Sequence, residues 1–155
     1  MTGSQKPDRQ DADWERYPDT VLHFRSLPKL RIDLRAPLSA QDRAAIARIG
    51  FAGEFAVITA FDPLGRDLPL EENAQRATKL ETRLAELDHS FVRVDACSPG
   101  GSHCEASVAV GMPKSKAVRV ASEFEQMAIF WYDGGRFWIV GALAISEPRV
   151  LPENF

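Results

Sequence analysis

The most apolar strand candidate of this chain is Glu54-Phe55-Ala56-Val57-Ile58-Thr59-Ala60-Phe61. Its apolar residues are nearly continuous, a pattern typical of a strand that is covered on both faces. We therefore expect this strand to lie at the centre of a sheet. The residues that follow, Asp62-Pro63-Leu64-Gly65, break it sharply, because proline and glycine favour turns.

A helix is expected after this break, from about residue 69 to residue 87. Pro69 suits its first turn, where a missing amide costs nothing, and the glutamates that follow suit the positive end of the helix dipole. One apolar face is marked by Leu70, Ala74, Ala77, Leu80, Leu84 and Leu87. The opposite side carries Glu72, Arg76, Lys79 and Arg83.

Five further elements flank this strand and helix. Alternation of apolar and polar residues predicts strands at 30–35, 91–96 and 105–110. A helix is predicted between the Ser39 cap and Gly50, and another begins at Pro113.

The end of the chain gives the clearest hairpin signal. Two apolar runs flank Asp133-Gly134-Gly135, and a glycine-containing turn of this kind favours a tight hairpin. If the two glycines form the loop, Trp131 faces Trp138; if the loop begins one residue earlier, Trp131 faces Arg136. We prefer the first register, because it pairs aromatic side chains with each other and opposite charges with each other.

The predicted order of elements is β-α-β-α-β-β-α-β-β. Runs of strands between helices favour an α+β fold. We expect a mixed, mostly antiparallel sheet with about three helices and a C-terminal β-hairpin. Residues 1–25 are expected to form a largely flexible N-terminal arm, residues 26–145 a single domain and residues 146–155 a C-terminal tail.

Composition excludes several classes of protein. The 155 residues are 45% apolar and 26% charged, with a formal net charge of −3. These values exclude a chain that is disordered overall, and the acidic balance argues against a nucleic-acid partner. No stretch reaches the roughly 18 apolar residues of a membrane helix, and no apolar leader follows Met1. We therefore expect a cytoplasmic protein without a membrane partner.

Cys97 and Cys104 flank a glycine-rich loop that ends in His103. Structural zinc sites usually have four ligands and often contain a closely spaced cysteine pair. This sequence lacks that spacing, so we predict no metal site. A disulfide across the loop is geometrically feasible, but it is not expected in a reducing cytosol.

Several motifs resemble those of a bacterial family of uncharacterised proteins, domain of unknown function 3293. They are the segment Phe55 to Pro63, the motif Glu72-Asn73-x-x-Arg76, the motif Glu105-x-Ser107 and the run Phe124-Glu125-Gln126-x-Ala128-Ile129. The resemblance extends over roughly residues 30–141. The chain departs from the family pattern at Asp62, Pro69 and Glu125, where the family usually carries Asn, Ser and Gly. The resemblance implies a domain and a set of positions, but no activity.

A candidate ligand site lies between the end of the central strand and the helix that follows, where open sheets bind ligands. Its residues are Thr59, Asp62, Asn73, Arg76, Glu105, Ser107 and Gln126. Arg76 offers five donors suited to a carboxylate or phosphate, and Glu105 would orient Arg76 or act as a base. We therefore predict a small anionic ligand, nucleotide-like or carrying a phosphate or carboxylate. The alternative is structural, with Asp62 capping a turn and Arg76 pairing with Glu72 or Glu105.

The aromatic hairpin suggests a second class of function. An exposed surface of Trp131, Tyr132 and Trp138 would suit a non-catalytic interaction or regulatory module, with a protein partner or a second copy of the chain. The other interpretation is burial under an N-terminal segment that contains Trp14, Tyr17 and Phe24. Because the chain has no nucleophile elbow, P-loop or zinc-protease motif, the sequence assigns neither catalytic residues nor a cofactor.

Overall fold

Eight strands form one sheet in a computed structural model that describes residues 14–25, 30–51 and 53–153. The strands are β1 (Val21–Phe24), β2 (Arg31–Asp33), β3 (Phe55–Thr59), β4 (Phe91–Cys97), β5 (Cys104–Val110), β6 (Ala128–Tyr132), β7 (Phe137–Gly141) and β8 (Arg149–Leu151). The α-helices of these residues are α1 (Ala40–Ala47), α2 (Leu70–Glu86) and α3 (Lys114–Glu123). Short 3₁₀ segments occupy Trp14–Asp19 and Pro63–Gly65. No helix within the described ranges is long and apolar enough to cross a membrane.

The apolar strand β3 lies at the centre of the sheet, as its sequence predicts. The strand order is β2-β1-β4-β5-β3-β6-β7-β8, and all neighbouring pairs are antiparallel. Four of the five residues of β3 are buried. The α+β class is confirmed, and so is the predicted order of elements from β2 to β7.

The two faces of β3 contribute to different cores, because successive strand residues point to opposite sides of a sheet. Ala56 and Ile58 pack in a core that includes residues of α2 and α3. Phe55 and Val57 pack in a second core, which includes Ile46 of α1. The alternation places Thr59 on the α1 side of the sheet, opposite α2.

Two short strands lie in segments that the sequence assigns to an arm and a tail. β1 pairs with both β2 and β4, and β8 pairs with β7 at the far edge of the sheet. Strands of three or four residues carry little local signal, because they are stabilised by pairing and packing with their neighbours. The sheet therefore extends beyond 26–145 in both directions. Residues 1–13 of the expected arm lie outside the described residues.

Cys97 and Cys104 form a disulfide, contrary to the expectation from a reducing compartment. They lie directly opposite each other on β4 and β5, with their Cα atoms 4.0 Å apart. This register depends on how the two strands pair, so the sequence spacing alone did not reveal it. The disulfide closes the loop that carries His103.

The C-terminal hairpin has the preferred register. Trp131 pairs with Trp138, and the Asp133 N–H donates to the Arg136 carbonyl at 3.0 Å. Trp131 and Tyr132 are buried in opposite cores, whereas Trp138 is half-buried. The hairpin therefore leaves little of these rings exposed for a partner.

Aromatic residues near the N-terminus pack on the α1 side of the sheet. Tyr17 meets Phe130 edge-on, with ring centroids 6.0 Å apart, and Phe24 meets Phe55 at 6.5 Å. These contacts support the interpretation that the N-terminal segment covers the aromatic strands. The Trp14 side chain lies outside the described part of the chain.

The Asp133 carboxylate organises the hairpin turn. Its Oδ1 accepts the N–H groups of Gly135 and Arg136, each at 2.8 Å, and its Oδ2 accepts the indole N–H of Trp138 at 2.8 Å. Partial burial raises the pKa of Asp133, but these hydrogen bonds, with Trp138 first among them, outweigh burial and hold the pKa below its ordinary value.

We expect Asp133→Ala to destabilise the fold by about 1 kcal/mol at neutral pH, because hydrogen bonds to a charged acceptor are lost from a largely solvated site. The depressed pKa means that this stabilisation is fully present above the ordinary aspartate pKa and is lost as pH falls through the folded-state value. Urea unfolding of both proteins, at neutral and at acid pH, measures the difference. A difference that did not shrink in acid would contradict this role.

Candidate functional site

β3 ends in a tight corner that α2 holds in place. Asp62 and Leu64 have φ values of 48° and 56°, in the left-handed region that Asp tolerates better than most residues. Asn73, only 4% exposed, accepts the Asp62 N–H at 2.9 Å and donates to Asp62 Oδ1 at 2.9 Å. The same Oδ1 accepts the Leu68 N–H at 3.0 Å. Asn73 therefore braces the corner, and its amide has little capacity left for a ligand.

Arg76 is also occupied by the chain itself. Its Nε donates to the Ala60 carbonyl at 2.7 Å and its Nη2 to the Phe124 carbonyl at 2.5 Å. Its Nη1 lies 3.6 Å from the Glu125 carboxylate. Arg76 therefore ties the end of β3 to the end of α3.

The contact between Arg76 and Glu105 that the sequence suggested does not form among the described residues. α2, which carries Arg76, packs on one face of the sheet. Glu105 shares its strand face with Ser107 and Ala109, and Ala109 belongs to the core on the opposite face. The sheet itself therefore separates the two side chains.

Four predicted site residues meet on the α1 side of the sheet. Thr59 pairs with Ser107 across β3 and β5, and Glu105 lies two residues earlier on the same face of β5. With Gln126, they line a cleft of about 50 Å³, whose other walls are Tyr17, Val57, Ala96, Ala128, Ile129 and Phe130. A cleft of this size holds a few water molecules or one small polar group, and it is too small for a nucleotide.

The hydroxyl groups of Thr59 and Ser107 already donate hydrogen bonds within the protein. Thr59 Oγ1 donates to the Ala106 carbonyl at 2.9 Å and accepts the Phe61 N–H at 3.1 Å. Ser107 Oγ donates to the Glu105 carbonyl at 3.1 Å. What Ser107 keeps for a ligand is an acceptor lone pair.

Gln126 adds a second acceptor. The residue is only 7% exposed, and its Nε2 donates to the Phe61 carbonyl at 2.9 Å and to the Phe124 carbonyl at 3.2 Å. These two bonds fix the orientation of the amide and leave Oε1 without a partner among the described residues. No enclosed side-chain oxygen or nitrogen there lacks a partner, so Oε1 keeps an open surface, and the cleft is the opening that Gln126 lines.

Three potential metal ligands lie beside this cleft. Asp62, His103 and Glu105 each place one ligand atom within 4.8 Å of the other two. His103 Nε2 is 3.3 Å from Glu105 Oε2. Asp62 lies in the corner after β3. His103 lies in the loop just before β5, and Glu105 is the second residue of β5. All three are at least partly exposed, so an ion in solution can reach them.

His103 is not among the site residues that the sequence predicted, where it stood only beside the two cysteines. The spacing of His103 and Glu105 contained a usable signal, because residues two apart lie on one side of an extended chain. No sequence signal indicated that Asp62 joins them, because its position depends on β3 and β5 being neighbours in the sheet.

Glu125, the second residue after α3, adopts a conformation that suits glycine. Glu125 has a φ of 58°, and the next N–H, that of Gln126, donates to the Ala121 carbonyl at 3.0 Å, as at many helix C-termini. The glycine that the resembled family usually carries at this position fits that geometry.

We expect Glu125→Gly to be more stable than Glu125→Ala by about 1 kcal/mol, because a Cβ is disfavoured in the left-handed region. Both variants remove the same contact with Arg76, so each serves as the control for the other. Denaturant unfolding measures the difference. An alanine variant as stable as the glycine variant, the order expected at an ordinary helical position, would contradict the prediction.

The comparison with known families bears on this whole region. Residues 58–129 match the model of a family described as a protein of unknown function, DUF3293. The matched range contains all seven predicted ligand residues and His103. No curated protein and no solved structure matched the chain. From the end of β3 to the start of β6, this chain therefore resembles the DUF3293 family.

Proposed function

We propose that this protein binds a divalent metal cation through Asp62, His103 and Glu105. The observation that carries the proposal is the convergence of two carboxylates and one imidazole, with ligand atoms within 4.8 Å of one another. Oxygen and nitrogen ligands lie about 2.0–2.2 Å from a bound Zn²⁺. The ligand atoms of one ion therefore lie somewhat closer to one another than 4.8 Å. Rotation of partly exposed side chains is enough to close the gap.

The donor set indicates which ions fit. Carboxylate and imidazole ligands suit first-row divalent cations such as Zn²⁺ and Mn²⁺. The two carboxylates also offset the charge of a dication. Three protein ligands leave at least one coordination position open, as in metal sites that act on a bound molecule.

The corner after β3 supports Asp62 as a ligand. Its Oδ1 is held by the Asn73 amide and the Leu68 N–H, at 2.9 and 3.0 Å. Hydrogen bonds of this kind orient metal-ligating carboxylates, and the other oxygen is then available to the ion. Under this proposal, the hydrogen bond from Asn73 holds the Asp62 carboxylate in position to bind the ion.

The neighbouring cleft supports a cationic centre as well. Glu105 belongs to both the cleft and the cluster, and the cleft adds the acceptors Gln126 Oε1 and Ser107 Oγ. A water molecule or a hydrogen-bond donor held at the metal's open position would find these acceptors beside it.

The small anionic ligand suggested by the sequence needs a different mode of binding. The cleft has no Lys or Arg among its described lining residues, and Arg76 donates to two backbone carbonyls. We infer that a small carboxylate or phosphate would reach this site only by coordinating the metal.

The test is calorimetric titration of Zn²⁺ and of Mn²⁺ into the full chain with its disulfide intact. We expect one ion to bind saturably, and a hundredfold excess over the Kd to stabilise the fold by about 2.7 kcal/mol. His103→Ala and Glu105→Gln should each weaken binding at least about tenfold, the loss of 1.4 kcal/mol or more expected for a missing ligand. Glu147→Gln, which changes an exposed carboxylate outside the cluster, is the matched control.

Absence of saturable binding, or an unchanged affinity in His103→Ala, would refute the proposal. The cysteines need their own control, because thiolates bind Zn²⁺ tightly once the disulfide is reduced. A Cys97→Ser/Cys104→Ser double variant should retain binding. Loss of binding in that variant, with retention in His103→Ala, would assign the ion to the cysteines instead.

A further inference from the structure

A second cavity, of about 160 Å³, lies between α1 and the turn of the C-terminal hairpin. Its lining includes Arg43, Ile46, Phe51, Phe55, Tyr132 and Gly134. None of its described lining residues also lines the cleft beside the proposed metal site. Any function of this cavity is therefore separate from the function proposed above.

Tyr132, a largely buried residue, provides this cavity with a hydroxyl that has no partner among the described residues. The residue is 4% exposed, and its ring packs against Phe55 and Phe137, with centroids 5.2 and 4.9 Å away. Its hydroxyl forms no hydrogen bond with the described residues, yet no enclosed polar side-chain atom among them lacks a partner. The hydroxyl therefore has an open surface, and the cavity that Tyr132 lines provides it.

The hydroxyl is available as a donor. Burial raises the pKa of Tyr132, so the phenol keeps its proton at neutral pH. Buried tyrosine hydroxyls usually find a hydrogen-bond partner. An acceptor atom of a ligand would be that partner.

Arg43 places a positive charge at the same cavity. It lies on the exposed side of α1, and its guanidinium has no ion pair or side-chain hydrogen bond within the described ranges. It is close enough to Tyr132 to act electrostatically on the hydroxyl. Asp133 also acts on that hydroxyl, but both of its carboxylate oxygens are engaged by the hairpin turn.

We propose that this cavity binds a small monocarboxylate with an apolar body about the size of a benzene ring. The Arg43 guanidinium and the Tyr132 hydroxyl would bind the carboxylate, since a guanidinium matches carboxylate geometry. Phe51 and Phe55 would contact the apolar body. A cavity of about 150 Å³ accommodates benzene, so the volume fits, and no Asp or Glu is among the described lining residues.

Benzoate is the probe for the test, and benzamide is its neutral counterpart with the same ring. We expect benzoate to bind saturably in a calorimetric titration and benzamide to bind at least about tenfold more weakly, because the charge-assisted hydrogen bonds are lost. Chemical-shift changes in the amide NMR spectrum should centre on Gly53 and Gly134, whose backbones line the cavity.

Variants assign the binding to the two donors. Arg43→Gln should weaken benzoate binding at least about tenfold, whereas Arg48→Gln, at the exposed C-terminal end of α1, should leave it unchanged. Tyr132→Phe keeps the ring packing and should weaken binding severalfold, with its fold checked by the thermal midpoint. Binding should also be insensitive to a chelator, which separates this result from the outcome of the metal titration.

Several results would overturn the proposal. Equal affinities for benzoate and benzamide would show that the negative charge of the carboxylate contributes nothing to binding. Unchanged binding in Arg43→Gln or in Tyr132→Phe would remove the assigned donors. Displacement of benzoate by inorganic phosphate at a similar concentration would show that the apolar body contributes nothing.

Discussion

Burial of β3 on both faces is the constraint on which the rest of the structure depends. Because both sides of the strand are apolar, helices must cover one face, and α1 and the N-terminal aromatic residues must cover the other. Where the strand ends, the carbonyl groups of Ala60 and Phe61 leave the ladder and need donors, since unpaired polar groups of the buried backbone are costly. Arg76 and Gln126 supply them.

The same constraint sorts the polar residues around the strand. Strand residues alternate between the two faces of the sheet, and this alternation places Thr59, Glu105 and Ser107 on the α1 side, where they line the cleft. Side chains of α2 approach from the other side and are used to hold the corner. Asp62 lies past the last strand residue, so it contacts α2 through Asn73 and still lies beside His103. The polar face of α2 therefore forms hydrogen bonds with the chain itself through Asn73 and Arg76, although its composition suggested a ligand site.

Local patterns made some of these features predictable from sequence. The periodicity of α2, the continuous apolar run of β3 and the glycine turn beside Trp131 each express an interaction between residues close in the chain. The short strands β1 and β8, the bond between Cys97 and Cys104 and the approach of Asp62 to His103 all depend on which strands become neighbours. That order is set by packing of the whole chain, so no single segment reveals it.

The two proposed sites take opposite charges, and the geometry of β3 explains how one small domain can hold both. Phe55 lines the carboxylate cavity and Thr59 lines the cleft beside the metal ligands. They lie on the same strand face four residues apart, and at about 3.3 Å per residue this separates them by roughly 13 Å. The Debye length is about 8 Å at physiological ionic strength, so a bound cation and a bound carboxylate would interact only weakly through solvent. Coupling through the protein would need a second packing arrangement of β3. Because this strand is held in a core on each face, we expect the two sites to be occupied independently.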